Sequence, residues 1–273
     1  MEIVPITSRR SPVVRAAAAL SSAKERRERG AFLCEGARLC QDAVLSGIPV
    51  EACFFTPDAQ KKYASYLDLI LKAAKTVYQV EPPVAQLLAS TKSPQGIFCV
   101  CARPASFGQV IGFAPRRPCL VLENLQDPGN LGTILRTAEA LGQFQVFLLG
   151  DCCDPLSPKV LRASMGAVFR LALSEQPSAS FLLNLLHRQG YTCHAAVPQP
   201  AAGDVTQIDF TRGLHAVFIG NEGSGLSPAV QALCDGPITI PMLGRAESLN
   251  AAAAATVLLW EMCRTPRKGM CYD

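Results

Sequence analysis

The sequence predicts an α/β protein of two domains, the second built on a parallel sheet. Three observations predict it. The chain has 273 residues, 49% of them hydrophobic and 18% charged, long and apolar enough to bury two cores and far from the composition of a disordered chain. Short apolar runs alternate with amphipathic stretches along its whole length, the pattern of strands and covering helices. Between Arg103 and Pro118 that pattern lapses into a stretch holding Pro104, Gly108, Gly112, Pro115 and Pro118, which reads as a linker. The boundaries that follow are 1–104, a linker over 105–117, and 118–268.

In the first domain, Ser11-Pro12 opens a helix over Val13–Arg29 that Gly30 stops. Ala31–Cys34 reads as a strand and Gly36–Leu45 as a helix, with Leu39, Ala43 and Val44 on one face. A strand over Ala52–Thr56, a helix over Ala59–Lys72 and a strand over Val77–Val80 follow. Pro82-Pro83 then opens a short helix, and Gly96–Cys101 is a strand. In the second domain Cys119–Leu122 is an apolar strand, Leu131–Leu141 a helix and Phe144–Leu149 a strand. Further strands are expected at Val168–Leu173, Tyr191–Ala196, Leu214–Ile219 and Pro237–Ile240. Strands apolar on both faces indicate a parallel sheet covered on both sides, with ligands at the strands' carboxyl ends.

Composition narrows the function classes. No apolar run approaches the roughly 20 residues that cross a bilayer; Leu249–Met262 is interrupted by Asn250, Thr256 and Glu261. Pro5, Arg9 and Arg10 stand where a signal peptide would be apolar, so a cytoplasmic protein is expected. The twelve cysteines lie in apolar runs, as at Cys34, Cys53, Cys119 and Cys193, where a thiol packs as a small hydrophobe. There is no Cys-x-x-Cys, and His187, His194 and His215 have no zinc-ligand spacing, so no metal is expected. Residues 1–104 carry 14 Lys and Arg against 9 Asp and Glu, and the remainder 12 against 13. A basic first domain, densest at Lys24, Arg26, Arg27 and Arg29, suits an anionic partner such as nucleic acid; Glu25 and Glu28 among those residues equally suit a solvated helix face.

Three loops carry the chemistry. The first, Asn124 to Gly132, contains Asp127-Pro128-Gly129-Asn130, turn chemistry in which Asn130 could cap a helix. Arg136 stands off that helix's apolar face, one turn beyond Gly132, free for a ligand or for an ion pair with Glu139. The second, Gly220-Asn221-Glu222-Gly223-Ser224-Gly225, allows close backbone approach but has neither the Rossmann nor the P-loop spacing. The third runs from Ile240 through Met242, Ser248, Leu249 and Asn250 into Ala251–Ala255, small residues that let the last helix press against neighbouring backbone.

In this order, D-P-G-N-x-G-x-x-x-R-T-A, G-N-E-G-x-G-L and I-P-M-x-G-x-x-x-S-L-N resemble the motifs of the SpoU (TrmH-like) group of SPOUT RNA 2′-O-ribose methyltransferases, over roughly residues 118–264. The Ala163-Ser164-Met165-Gly166-Ala167 stretch resembles the group as well. The first domain, with Phe32-Leu-Cys-Glu35-Gly36, is similar to the ribosomal-protein-like RNA-binding domain of many members.

The resemblance implies a trefoil-knotted catalytic domain, a homodimer, and methyl transfer from S-adenosylmethionine to a ribose 2′-hydroxyl of rRNA or tRNA, with 23S rRNA favoured by the extra domain. It implies Arg136, Asn130, Glu222, Ser248 and Asn250 at the reaction, with Arg136 at the hydroxyl. It places the cofactor against Leu149, Gly220, Asn221, Gly223, Ile240, Met242, Ser248, Leu249 and Asn250. Arginine is a poor proton acceptor, so Arg136 is expected to stabilise a developing oxyanion rather than to take the proton. Glu222 is expected to bond loop amides. A non-catalytic RNA-binding protein of the same fold and a base-methylating SPOUT enzyme are the competing readings.

Overall fold

The computed structural model describes residues 2–104, 107, 118–142 and 145–264, in two compact units. The first comprises Met1–Pro104 and Asp154–Phe169; the second comprises Ala105–Cys153 and Arg170–Asp273. The Ala163–Ala167 stretch therefore packs with the first unit, although in sequence it lies within the 118–268 span.

The first unit holds a mixed sheet in the order β1-β4-β3-β5-β2: β1 (Ile3–Ile6), β2 (Ala31–Glu35), β3 (Val50–Phe55), β4 (Ala74–Val80) and β5 (Ile97–Ala102). β1 and β3 run parallel to β4, while β5 is antiparallel to β3 and β2. In register, Cys99 of β5 pairs with Cys34 on one side and Cys53 on the other. Cys40 of α3 (Ala37–Leu45) is buried with them, and all four are free thiols. Burial pushes the Cys34 and Cys40 thiols up, so they stay protonated and pack as small hydrophobes.

The long helix expected over Val13–Arg29 is two helices, α1 (Pro12–Ala19) and α2 (Ala23–Arg29). The break has a physical cause. The Arg26 guanidinium donates to the carbonyls of Leu20 and Ser21, both at 2.8 Å, satisfying acceptors that end α1. Arg26 is 3% exposed and pairs with Asp154, 6% exposed, at 2.7 Å. It is thus a core cation and not part of a solvated or RNA-facing basic patch. The helix expected over Ala59–Lys72 also divides, at the non-helical Tyr63, into α4 (Pro57–Lys62) and α5 (Ala64–Ala73). β1 was not expected; it is an edge strand, exposed along most of its length. α6 (Pro82–Leu88) completes the span before β5.

The second unit holds seven parallel strands in the order β10-β12-β9-β11-β6-β7-β8: β6 (Cys119–Glu123), β7 (Gln145–Leu149), β8 (Ala172–Gln176), β9 (Tyr191–Ala196), β10 (Gly203–Asp204), β11 (Leu214–Ile219) and β12 (Gly236–Thr239). The parallel sheet expected from the continuous apolar strands is there, and β6, β7 and the core residues of β9 and β11 are buried. The strand expected at Val168–Leu173 is instead a 3₁₀ turn, Ala167–Phe169, followed by β8. Phe144 and most of the expected linker lie outside the described residues. α7 (Pro128–Ala140) packs on α11 (Ala251–Cys263), and the alanines of α11 permit the close approach. α9 (Ala179–Arg188) and α10 (Pro228–Leu233) cover the sheet beside β9. α8 (Pro158–Ser164) belongs to the first unit and packs on β2.

Candidate active site

In a parallel sheet every strand delivers its following loop to the same end. The loops after β6, β11 and β12 are the three singled out in the sequence. They meet although the first and last are more than a hundred residues apart.

Glu222 holds the first two together. Its carboxylate accepts the Gln126 amide at 3.1 Å, the Asp127 amide at 2.9 Å and the Asn130 side-chain amide at 3.1 Å. Burial alone would raise the Glu222 carboxyl, but the bonds from Asp127, Asn130 and Gln126 outweigh it and hold the group below its ordinary value. Glu222 is therefore an ionised anchor, as its expected bonding to loop amides requires. Asn130 then reaches the third loop: its Oδ1 accepts from the Asn250 side-chain amide at 3.1 Å. Asn250 in turn caps α11, accepting the Ala252 and Ala253 amides. Asn130 does not cap α7. Asp127 does, accepting the Asn130 amide at 2.8 Å.

The second loop is drawn tight on itself. Asn221 and Gly225 exchange backbone hydrogen bonds at 3.0 and 2.9 Å, and Asn221 Oδ1 accepts the amides of Gly223 and Ser224. The side chain of Asn221 also donates to the Asn124 carbonyl at 2.9 Å. The two glycines expected to face a ligand differ. A Cβ on Gly220 would lie 2.1 Å from the Gly225 carbonyl carbon and the Leu226 nitrogen, so that glycine is required by the loop's own closure. A Cβ on Gly223 would meet only Asn221 Oδ1, at 3.6 Å, within 4 Å, so that glycine leaves space open.

Beside this junction lies a cleft of about 190 Å³. Of the expected cofactor residues, Gly220, Asn221, Gly223, Ile240, Met242, Ser248 and Leu249 line it, together with Glu222. Leu149 does not: it is 2% exposed and packed in the core beside Phe147 and Phe218. Asn250 borders Asn130 rather than the cleft. The sequence reading missed Ala196, Val197 and Pro198 after β9, and Ile219, Ile238 and Thr239 at the ends of β11 and β12. Their only sequence signal was their place at a strand end. It also missed buried Glu123, which takes the Ser227 amide and hydroxyl at 2.8 and 2.7 Å and fixes the start of α10. An apolar wall of Ile219, Ile238, Met242 and Leu258 facing polar backbone of the glycine loop fits a ligand that joins an aromatic base to a charged amino acid.

Arg136 is on the exposed face of α7. Glu139, its possible ion-pair partner, pairs with Arg170 at 2.8 Å instead. Among the described residues no hydrogen bond or ion pair engages Arg136. Gly132, expected to uncover it, is itself buried. At the amino end of the same sheet, His187, Cys193 and Asp235 bring donor atoms within 4.8 Å of one another, a group the sequence reading did not anticipate. Asp235 there already accepts the Cys193 amide at 2.7 Å. No helix among the described residues is long and apolar enough to cross a membrane.

Residues 117–260 match the SpoU rRNA Methylase family, and residues 11–99 match an MRM3-like substrate binding domain. An uncharacterized tRNA/rRNA methyltransferase of Synechocystis is 38% identical over 263 residues, 96% of this chain and 94% of that protein. A 23S rRNA (uridine(2479)-2′-O)-methyltransferase of Streptomyces viridochromogenes is 32% identical, covering 95% of this chain and 91% of its own. The crystal structure of an AdoMet-bound rRNA methyltransferase from Sinorhizobium meliloti superposes with a TM-score of 0.85 at 28% identity, over 96% of this chain and 98% of that one. Two domains matched in order, a relative above 30% identity over nearly the full length, and the three motif loops joined at one cleft lead to one assignment: the chain belongs to the SpoU rRNA methylase family.

Proposed function

We propose that this chain transfers a methyl group from S-adenosylmethionine to a ribose 2′-hydroxyl of 23S rRNA. The observation that carries the reading is the Glu222–Asn130–Asn250 chain of hydrogen bonds, which ties three sequence-distant loops around one cleft. When bound, the cofactor supplies an activated sulfonium methyl. The protein's task is to hold the hydroxyl in line with it and to favour the partly deprotonated hydroxyl.

Each residue has a share in that task. The loop from Gly220 to Gly225 and the segment from Ile240 to Leu249 hold the cofactor, the first by backbone and the second by apolar side chains and Ser248. Arg136, always charged and engaged by no hydrogen bond or ion pair among the described residues, stabilises the oxyanion that develops on the ribose. Asn130, fixed from both sides, keeps the start of α7 in register with the cofactor loops. Glu222 keeps its charge for the loop amides and is not the base. The reading includes the family's trefoil knot, a cytoplasmic enzyme and a homodimer. Trp260, 55% exposed on α11, supports a partner on that helix.

The test is transfer of tritiated methyl from S-adenosylmethionine into unmodified 23S rRNA transcript, followed by nucleoside analysis. Label in a 2′-O-methylnucleoside is expected. Label in a base, label only in tRNA, or no incorporation overturns the reading.

A further inference from the structure

The first unit contains a cavity of about 430 Å³ that the reaction does not use. Its wall joins the end of β2 and the start of α3 to the loop before β5 and to α8 of the Asp154–Phe169 segment. Two cations, Arg38 and Arg162, and two carboxylates, Glu35 and Asp42, line it, with Leu39 and Met165 as apolar surface. The volume is in the range of small-ligand sites.

The polar wall is already built. Glu35 accepts the Ser90 amide at 2.8 Å and the hydroxyls of Ser90 and Thr91. Ser90 Oγ in turn accepts from the Arg162 guanidinium. Arg162 is thus aimed by a relay that begins on β2, and its remaining donors are left for another acceptor. Arg38 is exposed on α3. Met165 ends α8 in the left-handed conformation, φ 51° and ψ 42°, which L residues other than Asn and Asp seldom adopt. The left-handed residue closes the helix, a place that glycine usually takes, and here it sets a methionine side chain, 43% exposed, at the rim of the cavity.

We propose that this cavity takes one unpaired nucleotide of the RNA substrate, its phosphate on Arg38 and Arg162 and its base against Met165 and Leu39. A nucleotide joins an anion to a flat apolar face, the two features that the cavity presents together. The carboxylate of Glu35 supplies an acceptor for a base amine or a ribose hydroxyl. The proposal rests on the RNA-methyltransferase reading, and it gives the Ala163–Ala167 stretch a role that the methyl transfer does not.

The experiment measures binding of end-labelled, unmodified 23S rRNA transcript by anisotropy across a salt series, without cofactor, so that it does not depend on catalysis. Arg38→Ala should weaken binding and reduce the slope of log K against log salt by about one. Met165→Gly relieves the backbone conformation while removing the side chain. It should weaken binding roughly five- to tenfold with the slope unchanged. Both variants should keep the parental circular dichroism and the parental thermal transition of the first unit, which shows them folded. Parental RNA affinity in both variants overturns the proposal. An unchanged slope for Arg38→Ala overturns the phosphate assignment, and parental affinity for Met165→Gly overturns the base assignment. RNA that binds as expected without ever being methylated would sink the methyltransferase reading and leave this one standing.

Discussion

The two units solve the problem of assembling a site in opposite ways. In the second, seven parallel strands send their loops to one end, and motifs near residues 127, 222 and 248 meet without any special device. In the first, β5 runs antiparallel to both of its neighbours, so adjacent strands carry their loops to opposite ends. Its cavity is completed by α8, brought in from beyond residue 150. A parallel sheet concentrates function by topology alone; a mixed sheet has to recruit a wall from elsewhere. The difference shows in the bonding. The cleft of the second unit is held by amides of its own loops, whereas the first unit ties its recruited segment down through Arg26–Asp154 and Arg162–Ser90.

The largest effect expected is at Arg136. Arg136→Ala should lower the methyl-transfer rate about a hundredfold or more, the cost of losing a charge at a developing oxyanion. Titration with S-adenosylhomocysteine should give nearly parental affinity, because Arg136 does not line the cleft. A comparable loss of cofactor affinity would move Arg136 into the cofactor site. Next come the glycines. Gly220→Val should disable the second loop outright, since a side chain there collides with Gly225 and Leu226 backbone. Gly223→Val should leave thermal stability near the parental value and weaken cofactor binding alone. Equal loss of stability in both would show that Gly223 too serves only the loop.

That contrast marks how far the sequence could be read. The two glycines look alike in Gly-Asn-Glu-Gly, because what separates them is a contact with residues 225 and 226 that only the folded loop makes. The parallel character of the sheet was accessible through continuous apolar strands, and Tyr191–Ala196 and Leu214–Ile219 fall where the pattern put them. Leu149 was misassigned because an apolar residue at a strand end reads the same whether it faces a ligand or the core. Arg26 was misread for the converse reason: among Lys24, Arg27 and Arg29 nothing local shows that one cation points inward. Its partner, Asp154, is 128 residues away. The split of Val13–Arg29 follows from the same side chain and was hidden for the same cause.

The Arg26–Asp154 pair gives the next prediction. Both groups are nearly fully buried, so removing Arg26 leaves the Asp154 carboxylate with Arg103, at 4.0 Å, as its remaining cation. Arg26→Ala should cost about 3 kcal/mol of stability, within the range for breaking a buried pair. It also frees the Leu20 and Ser21 carbonyls that end α1. Chemical denaturation, with attention to whether the first unit unfolds ahead of the second, measures it. For the same reason a variant lacking residues 1–116 strips Asp154–Phe169 of the unit it packs in. Such a truncation should expose the apolar residues of α8 and aggregate unless that segment is shortened too. A clean, stable truncated protein would show that the second unit tolerates the segment alone.

The smallest effect lies between β9 and β11 of the second sheet and is seen in pH. His194 on β9 is mostly buried, stacked on His215 of β11 with ring centroids 5.3 Å apart. His215 Nε2 lies 2.8 Å from the Arg212 carbonyl, which can only accept, so that nitrogen carries the proton. Its Nδ1 is therefore the acceptor for His194 Nε2–H at 3.0 Å. Burial, then the neighbouring His215, lower the His194 pKa to about 4 from an ordinary value near 6.5, against a small opposing pull from Asp235. Between these two values the unfolded chain binds the extra proton and the folded one does not. The stability that His194 contributes is therefore present above about 6.5 and declines as the pH falls toward 4. Melting temperature followed over that interval should drop more steeply in the parent than in His194→Gln, which keeps a donor toward His215 but cannot titrate. Parallel curves for the two proteins would place the acid sensitivity of this sheet in its carboxylates instead.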